Sequence, residues 1–136
     1  MSEREEKWQY PLGEYERERV RSRTGRLLSE LTLENVRAGA VNAQDFTIHA
    51  ETLRAQAAIA EQAGFGQFAA NLRRAAELTV VPDKKILAIY EALRPYRVHA
   101  EQLLALADEL ERDYGATENA RLLRQAAEVY SKRGLV

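Results

Sequence analysis

Between Ala100 and Tyr114 the apolar residues Leu103, Leu106, Ala107, Leu110 and Tyr114 recur at i, i+3, i+4, i+7 and i+11. Only a period near 3.6 residues puts all five on one side, so the stretch reads as an amphipathic helix with a single buried stripe. Gly115 stands where a helix usually stops. Such a stripe cannot be buried alone, and the chain supplies partners of the same period on either side of it.

Thr32 suits the cap of a short helix through Arg37, ended by Gly39, and Asn42–Thr47 reads as a turn. Ala50–Ala63 carries Leu53, Ala57, Ala60 and Gly64 on one stripe, with Gly64 and Gly66 ending it. In Gln67–Leu78, Phe68, Leu72, Ala75 and Ala76 share a face while Arg73, Arg74 and Glu77 point away. Pro82 and Asp83 suit the first turn of a helix bearing Ile86, Ile89, Tyr90 and Leu93, which must stop before Pro95. Thr117 suits the cap of a last helix with Leu122, Ala126, Val129 and Tyr130 inward, and Lys132 and Arg133 near its negative end. No long alternation of β-branched residues competes. The expected fold is all-α, a compact bundle of about five to six short helices. Residues 1–31, charged and without a sustained period, are expected to form an extended N-terminal arm, and residues 32–136 the helical domain. The Ala-rich faces allow close helix approach but supply limited burial, so the fold is expected to depend on a partner.

Composition narrows the function. The 136 residues make one modest core, with 46% hydrophobic and 30% charged residues. Lys and Arg (20) nearly balance Asp and Glu (21), so no global charge draws the chain to nucleic acid or an acidic membrane. Absence of Cys removes disulfides, thiol nucleophiles and thiolate metal sites together and suits a reducing cytoplasm. The longest apolar run, Leu103–Ala107, is far short of a membrane span, and Met1–Gln9 lacks the apolar stretch of a secretory signal.

No catalytic or metal constellation emerges. His49 and His99 each precede a helix without another ligand at i+3 or i+4, and the serines lack a strand–turn–helix setting. Gly64-Phe65-Gly66-Gln67-Phe68-Ala69 fits a loose dinucleotide fingerprint, but a helix rather than a strand leads into it, so a helix connector is expected. Arg17, Arg19, Arg21, Arg23 and Arg26 could form an anion-binding arm, the first four along one side if extended. Glu14, Glu16 and Glu18 are interleaved with them, which favours a solvated or partner-pairing arm over a nucleic-acid-binding one. Trp8, Tyr10, Pro11 and Leu12 are apolar residues in a charged arm. They read either as anchors for a partner or as a segment folded back on its own helices. Arg94-Pro95-Tyr96-Arg97 is a helix-ending turn that a partner could cover.

A long collinear series of segments resembles the small subunits of diol and glycerol dehydratases. It begins with Tyr10-Pro11-Leu12, Leu31-Thr32-Leu33-Glu34-Asn35-Val36 and Glu51-Thr52-Leu53-Arg54. Its most specific part runs from Arg74-Ala75-Ala76-Glu77-Leu78-Thr79 through Val81-Pro82-Asp83 to Ala92-Leu93-Arg94-Pro95-Tyr96-Arg97. Ala107-Asp108-Glu109-Leu110-Glu111, Ala126-Ala127 and Tyr130 continue it. The resemblance implies a heterohexamer of large, medium and small subunits, two of each. It implies substrate and a metal ion in the large subunit, a TIM barrel, and adenosylcobalamin between the large and medium subunits. The reaction is radical dehydration of a 1,2-diol or glycerol to an aldehyde. The small subunit is then a helical component that packs on the large one, with no catalytic, cofactor or metal ligand of its own. Trp8, Tyr10, Leu12, Arg94 and Tyr96 are the expected interface residues. The competing expectation is a free-standing helical adaptor that binds another protein through the Trp8–Leu12 arm.

This chain departs from the pattern in three places. His49 and Val98 replace the Ser or Thr expected to cap helices, so weakened caps are expected there. Gly64-Phe65-Gly66 is looser than the usual connection. The short arm before Tyr10 resembles glycerol dehydratases and makes encapsulation in a microcompartment through this subunit doubtful.

Overall fold

A computed structural model describes residues 7–136, and these form an all-α fold. The helices are α1 (Leu12–Tyr15), α2 (Leu33–Arg37), α3 (Ala50–Gln62), α4 (Gly66–Leu78), α5 (Asp83–Ala92), α6 (Ala100–Tyr114) and α7 (Thr117–Arg133). The six from α2 onward match the periodicity, and α1, a single turn, is the addition. Single-turn 3-10 segments cover Leu28–Glu30 and Ala43–Phe46. Strand-like pairing among the described residues is confined to isolated bridges, Arg21 with Leu27 and Ser22 with Ile48. The chain divides into two compact units, Met1–Ala76 and Glu77–Val136.

In the second unit α6 and α7 form a hairpin. Gly115 lies in the left-handed region (φ +61°), where a residue with a Cβ is strained, and its N–H caps α6 on the Glu111 carbonyl at 3.1 Å. Leu103, Ala107 and Leu110 of α6 meet Ala120, Leu123 and Ala127 of α7, joined by Val81, Ile89 and Ala92. Leu103, Leu110 and Leu123 are the largest fully buried side chains. Burying each is worth about 1.5–3 kcal/mol relative to exposure. The α6 stripe is the one its spacing predicts. The α7 face is so only in part: Tyr130 packs on the core as expected, but Leu122 and Val129 are exposed, and the buried positions lie one residue on, at Leu123 and Ala127. An Ala-rich helix with apolar residues on two sides gives periodicity little to choose between. Tyr90 of α5 is likewise exposed, while Ile89 takes the core position.

In the first unit Ala57 and Ala60 of α3 cluster with Ala69 of α4, with Leu72 against them. Phe68, expected on the inner face of α4, is exposed, because Ala69, Leu72 and Ala76 line the inner side instead. Gly64 (φ +88°) turns the chain between the two helices, and Glu61 and Arg73 pair across the turn. α3 runs directly into Gly64, so the glycine pair is a helix connector.

The helix starts correct three further expectations. His49 is itself the N-cap of α3, its Nδ1 accepting from the Glu51 N–H at 3.0 Å, so the Ser/Thr replacement keeps a cap. α6 begins at Ala100 as expected, but its N-cap is His99 rather than Val98, and the His99 N–H donates to Gln102 Oε1 at 2.8 Å. The reciprocal reach of a capping box is thus made by Gln102 rather than Glu101. Thr117 does not cap α7 but is its first residue. The Glu77 carboxylate accepts from the Glu118 and Asn119 N–H groups in its place, each at 2.9 Å.

Candidate partner-binding surface

The segment from Glu16 to Glu30 has little regular structure, and polar side chains fix its course. The Arg23 N–H donates to the Thr47 carbonyl at 2.9 Å, beside the Ser22–Ile48 bridge. Thr24 donates its hydroxyl to Asp45 Oδ1 at 2.6 Å, and the Asn42 N–H donates to Asp45 Oδ2 at 2.9 Å. These two hydrogen bonds, with Arg26 as a further positive neighbour, hold the buried Asp45 carboxyl below its ordinary pKa. Arg26 reaches Glu30 at 3.3 Å and the Ala40 carbonyl at 2.9 Å.

Trp8 is half-buried, with the Arg19 guanidinium over its ring at 3.6 Å from the centroid. Glu16 holds both ends of this arrangement, accepting from the Gln9 N–H and from Arg19 Nη1, each at 2.9 Å. The Gln9 bond is the main reason its pKa is lowered, with Arg19 adding to it. Tyr10 is 71% exposed, whereas Leu12, at the start of α1, is buried in its own unit.

In the other unit, Tyr96 is 76% exposed and has φ +64°, the left-handed region that a bulky residue rarely adopts. The Tyr96 N–H donates to the Leu135 carbonyl at 2.7 Å, which ties the turn to the chain's last residues. Glu91 pairs with Arg94 at 3.2 Å and with Arg97 at 3.3 Å on either side of it. The Tyr96 ring is therefore carried outward on a braced turn.

Arg19, Arg21 and Arg23 line one cleft with Trp8 and His49, and Arg17 is not among its lining residues. An adjoining cleft is walled by Leu28, Leu31, Phe46 and Ile48. The arginine alternation was visible in sequence, but the cleft depends on Trp8 and His49 arriving from elsewhere in the unit. The exposed apolar residues Phe46, Ile48, Leu87, Tyr90, Leu122 and Val129 were not anticipated as surface.

Among the described residues no group of three His, Cys, Asp or Glu side chains could hold a metal ion, and no helix is long and apolar enough to cross a membrane. His49 and His99 are both helix caps, and neither belongs to a metal-ligand cluster.

Residues 5–136 match the family model described as dehydratase small subunit. The chain is 52% identical over 124 residues to the propanediol dehydratase small subunit of Salmonella typhimurium, a match spanning 91% of this chain and 72% of that protein. It is 50% identical, with the same coverage, to the propanediol dehydratase small subunit of Citrobacter freundii. With a family match over nearly its whole length, this chain belongs to the dehydratase small-subunit family.

Proposed function

We propose that this chain is the non-catalytic small subunit of a propanediol-type dehydratase, a carbon–oxygen lyase, and that it acts by completing the assembly. The collinear identity of about half its residues with two propanediol dehydratase small subunits carries the reading. Its partners are the large and medium subunits in a two-of-each heterohexamer, with the small subunit seated on the large one. The substrate is a small 1,2-diol, propane-1,2-diol or glycerol, converted to an aldehyde in the cytoplasm. Adenosylcobalamin, held between the large and medium subunits, supplies the radical that starts the dehydration. On this reading the chain contributes no ligand to that cofactor, and its part is to bind and position other subunits.

Residues 1–31 serve in this reading as a docking arm on the helical part, 32–136. Trp8 and Tyr10 present its contact surface, and buried Leu12 fixes the arm from within. Arg94 and Tyr96 form a second contact. The turn holds an exposed aromatic ring in a left-handed conformation, and aromatic anchors dominate interface energetics.

Co-expression of the tagged chain with the large and medium dehydratase subunits tests the assignment. Native mass spectrometry of the tag-purified material should show a complex containing all three. Recovery of the tagged chain alone, folded and monodisperse, contradicts it and favours a free-standing adaptor.

A further inference from the structure

The arginine cleft of the first unit has a use that subunit membership alone does not specify. Arg19, Arg21 and Arg23 line about 110 Å³ beside Trp8 and His49, with Glu51 as the opposing charge. Arg19 is engaged by Glu16 and the Trp8 ring. Arg21 spends one donor on the Gly25 carbonyl at 3.1 Å and keeps the rest of its fork. Among the described residues, no hydrogen bond or ion pair engages the Arg23 guanidinium. Its backbone is nevertheless fixed by the bond to Thr47, so the side chain is presented from a held position.

Arg21 and Thr52 also line the neighbouring apolar cleft of about 240 Å³, where Phe46 and Ile48 stand 52% and 45% exposed. A cationic cleft joined to an apolar one selects a ligand with both characters. Guanidinium groups match a carboxylate through paired N–H···O bonds, and the aromatic and β-branched walls match a large apolar side chain. A free phosphate would leave the apolar cleft unused.

Resting on the subunit reading above, we propose that the joined clefts receive a segment of the large dehydratase subunit in which an Asp or Glu stands beside a large apolar residue. The carboxylate lies on Arg21 and Arg23, and the apolar side chain lies between Phe46 and Ile48.

The test compares the wild-type chain with Arg23→Gln, Arg23→Glu and the control Lys84→Glu, each immobilised and titrated with purified large and medium subunits over a range of NaCl concentrations. Lys84 lies in the first turn of α5, where a carboxylate suits the helix end, so its reversal changes the charge equally without loss of fold. Circular dichroism confirms that every variant is folded, and Arg23→Gln serves if the reversal does not fold. The proposal expects Arg23→Glu to weaken binding by roughly tenfold or more and to flatten its salt dependence. Lys84→Glu is expected to stay within roughly twofold of wild type. Equal affinity and equal salt dependence for wild type and both Arg23 variants would overturn the cleft proposal while leaving the subunit reading intact. No binding by the wild-type chain would overturn the subunit reading itself. Saturable binding of inorganic phosphate to the isolated chain, abolished in Arg23→Gln with subunit binding unchanged, would assign the cleft to a small anion and overturn the proposal.

Discussion

Glu77 and Asn119 lie far apart in sequence, yet one oxygen of Glu77 accepts both the backbone N–H of Asn119 at 2.9 Å and its side-chain Nδ2 at 2.7 Å. The other oxygen takes the Glu118 N–H at 2.9 Å. Ala116, at the N-cap, has no side chain to offer, so the end of α4 supplies the cap that α7 lacks. Glu77→Ala would strand two helix-start amides and take one hydrogen bond from the largely buried Asn119. It is expected to destabilise the chain by about 2 kcal/mol, read from the urea midpoint. Glu77→Gln, which keeps one acceptor, is expected to lose about half of that.

The stability of the second unit rests on a few large side chains among many alanines. Leu110→Ala removes one of three fully buried leucines and is expected to cost about 2–5 kcal/mol. Leu122→Ala, on the exposed side of α7, is expected to stay within about 0.5 kcal/mol. Thermal melts of the two variants distinguish the observed α7 face from the one that periodicity favours.

Asp45 ties the Glu16–Glu30 segment to the turn before α3, and its pKa is lowered mainly by the Thr24 hydroxyl and then by the Asn42 N–H. A lowered folded-state value means that its stabilisation is complete above the unfolded carboxyl pKa of about 3.9 and is lost as pH falls through the lower folded value. Glu16 and Glu30, lowered by the Gln9 and Leu27 N–H groups, act in the same direction. Urea midpoints measured from neutral to acid pH should fall on the acid side. Asp45→Asn should be less stable at neutral pH and show a shallower acid decline.

Tyr96 separates stability from assembly. Relieving its left-handed backbone with Tyr96→Gly is expected to leave the isolated chain as stable or to stabilise it by up to about 1 kcal/mol. The same change should weaken association with the other dehydratase subunits, because the exposed ring is lost. A variant that melts no lower but binds less tightly would show that the strained position is kept for contact.

The sequence made α6 legible because its five apolar residues admit one face only. It left α7 ambiguous because Leu122, Ala126 and Val129 form a second stripe one residue from Leu123 and Ala127, and only packing against Leu103, Ala107 and Leu110 selects between them. The caps at His49 and His99 escaped the reading for another reason. An imidazole nitrogen and a reaching Gln102 did work usually assigned to Ser or Thr. Trp8 and Arg19 were each visible, but their stacking depends on Glu16 binding both Gln9 and Arg19, a relation set by the folded arm rather than by spacing.

The most direct test of the central claim is aldehyde formation from propane-1,2-diol and glycerol by large and medium dehydratase subunits, with adenosylcobalamin added, in the presence and absence of this chain. The subunit assignment predicts full activity only with the chain present, in a complex that contains it stoichiometrically. Equal activity without it, with the chain recovered free of the complex, would contradict the account.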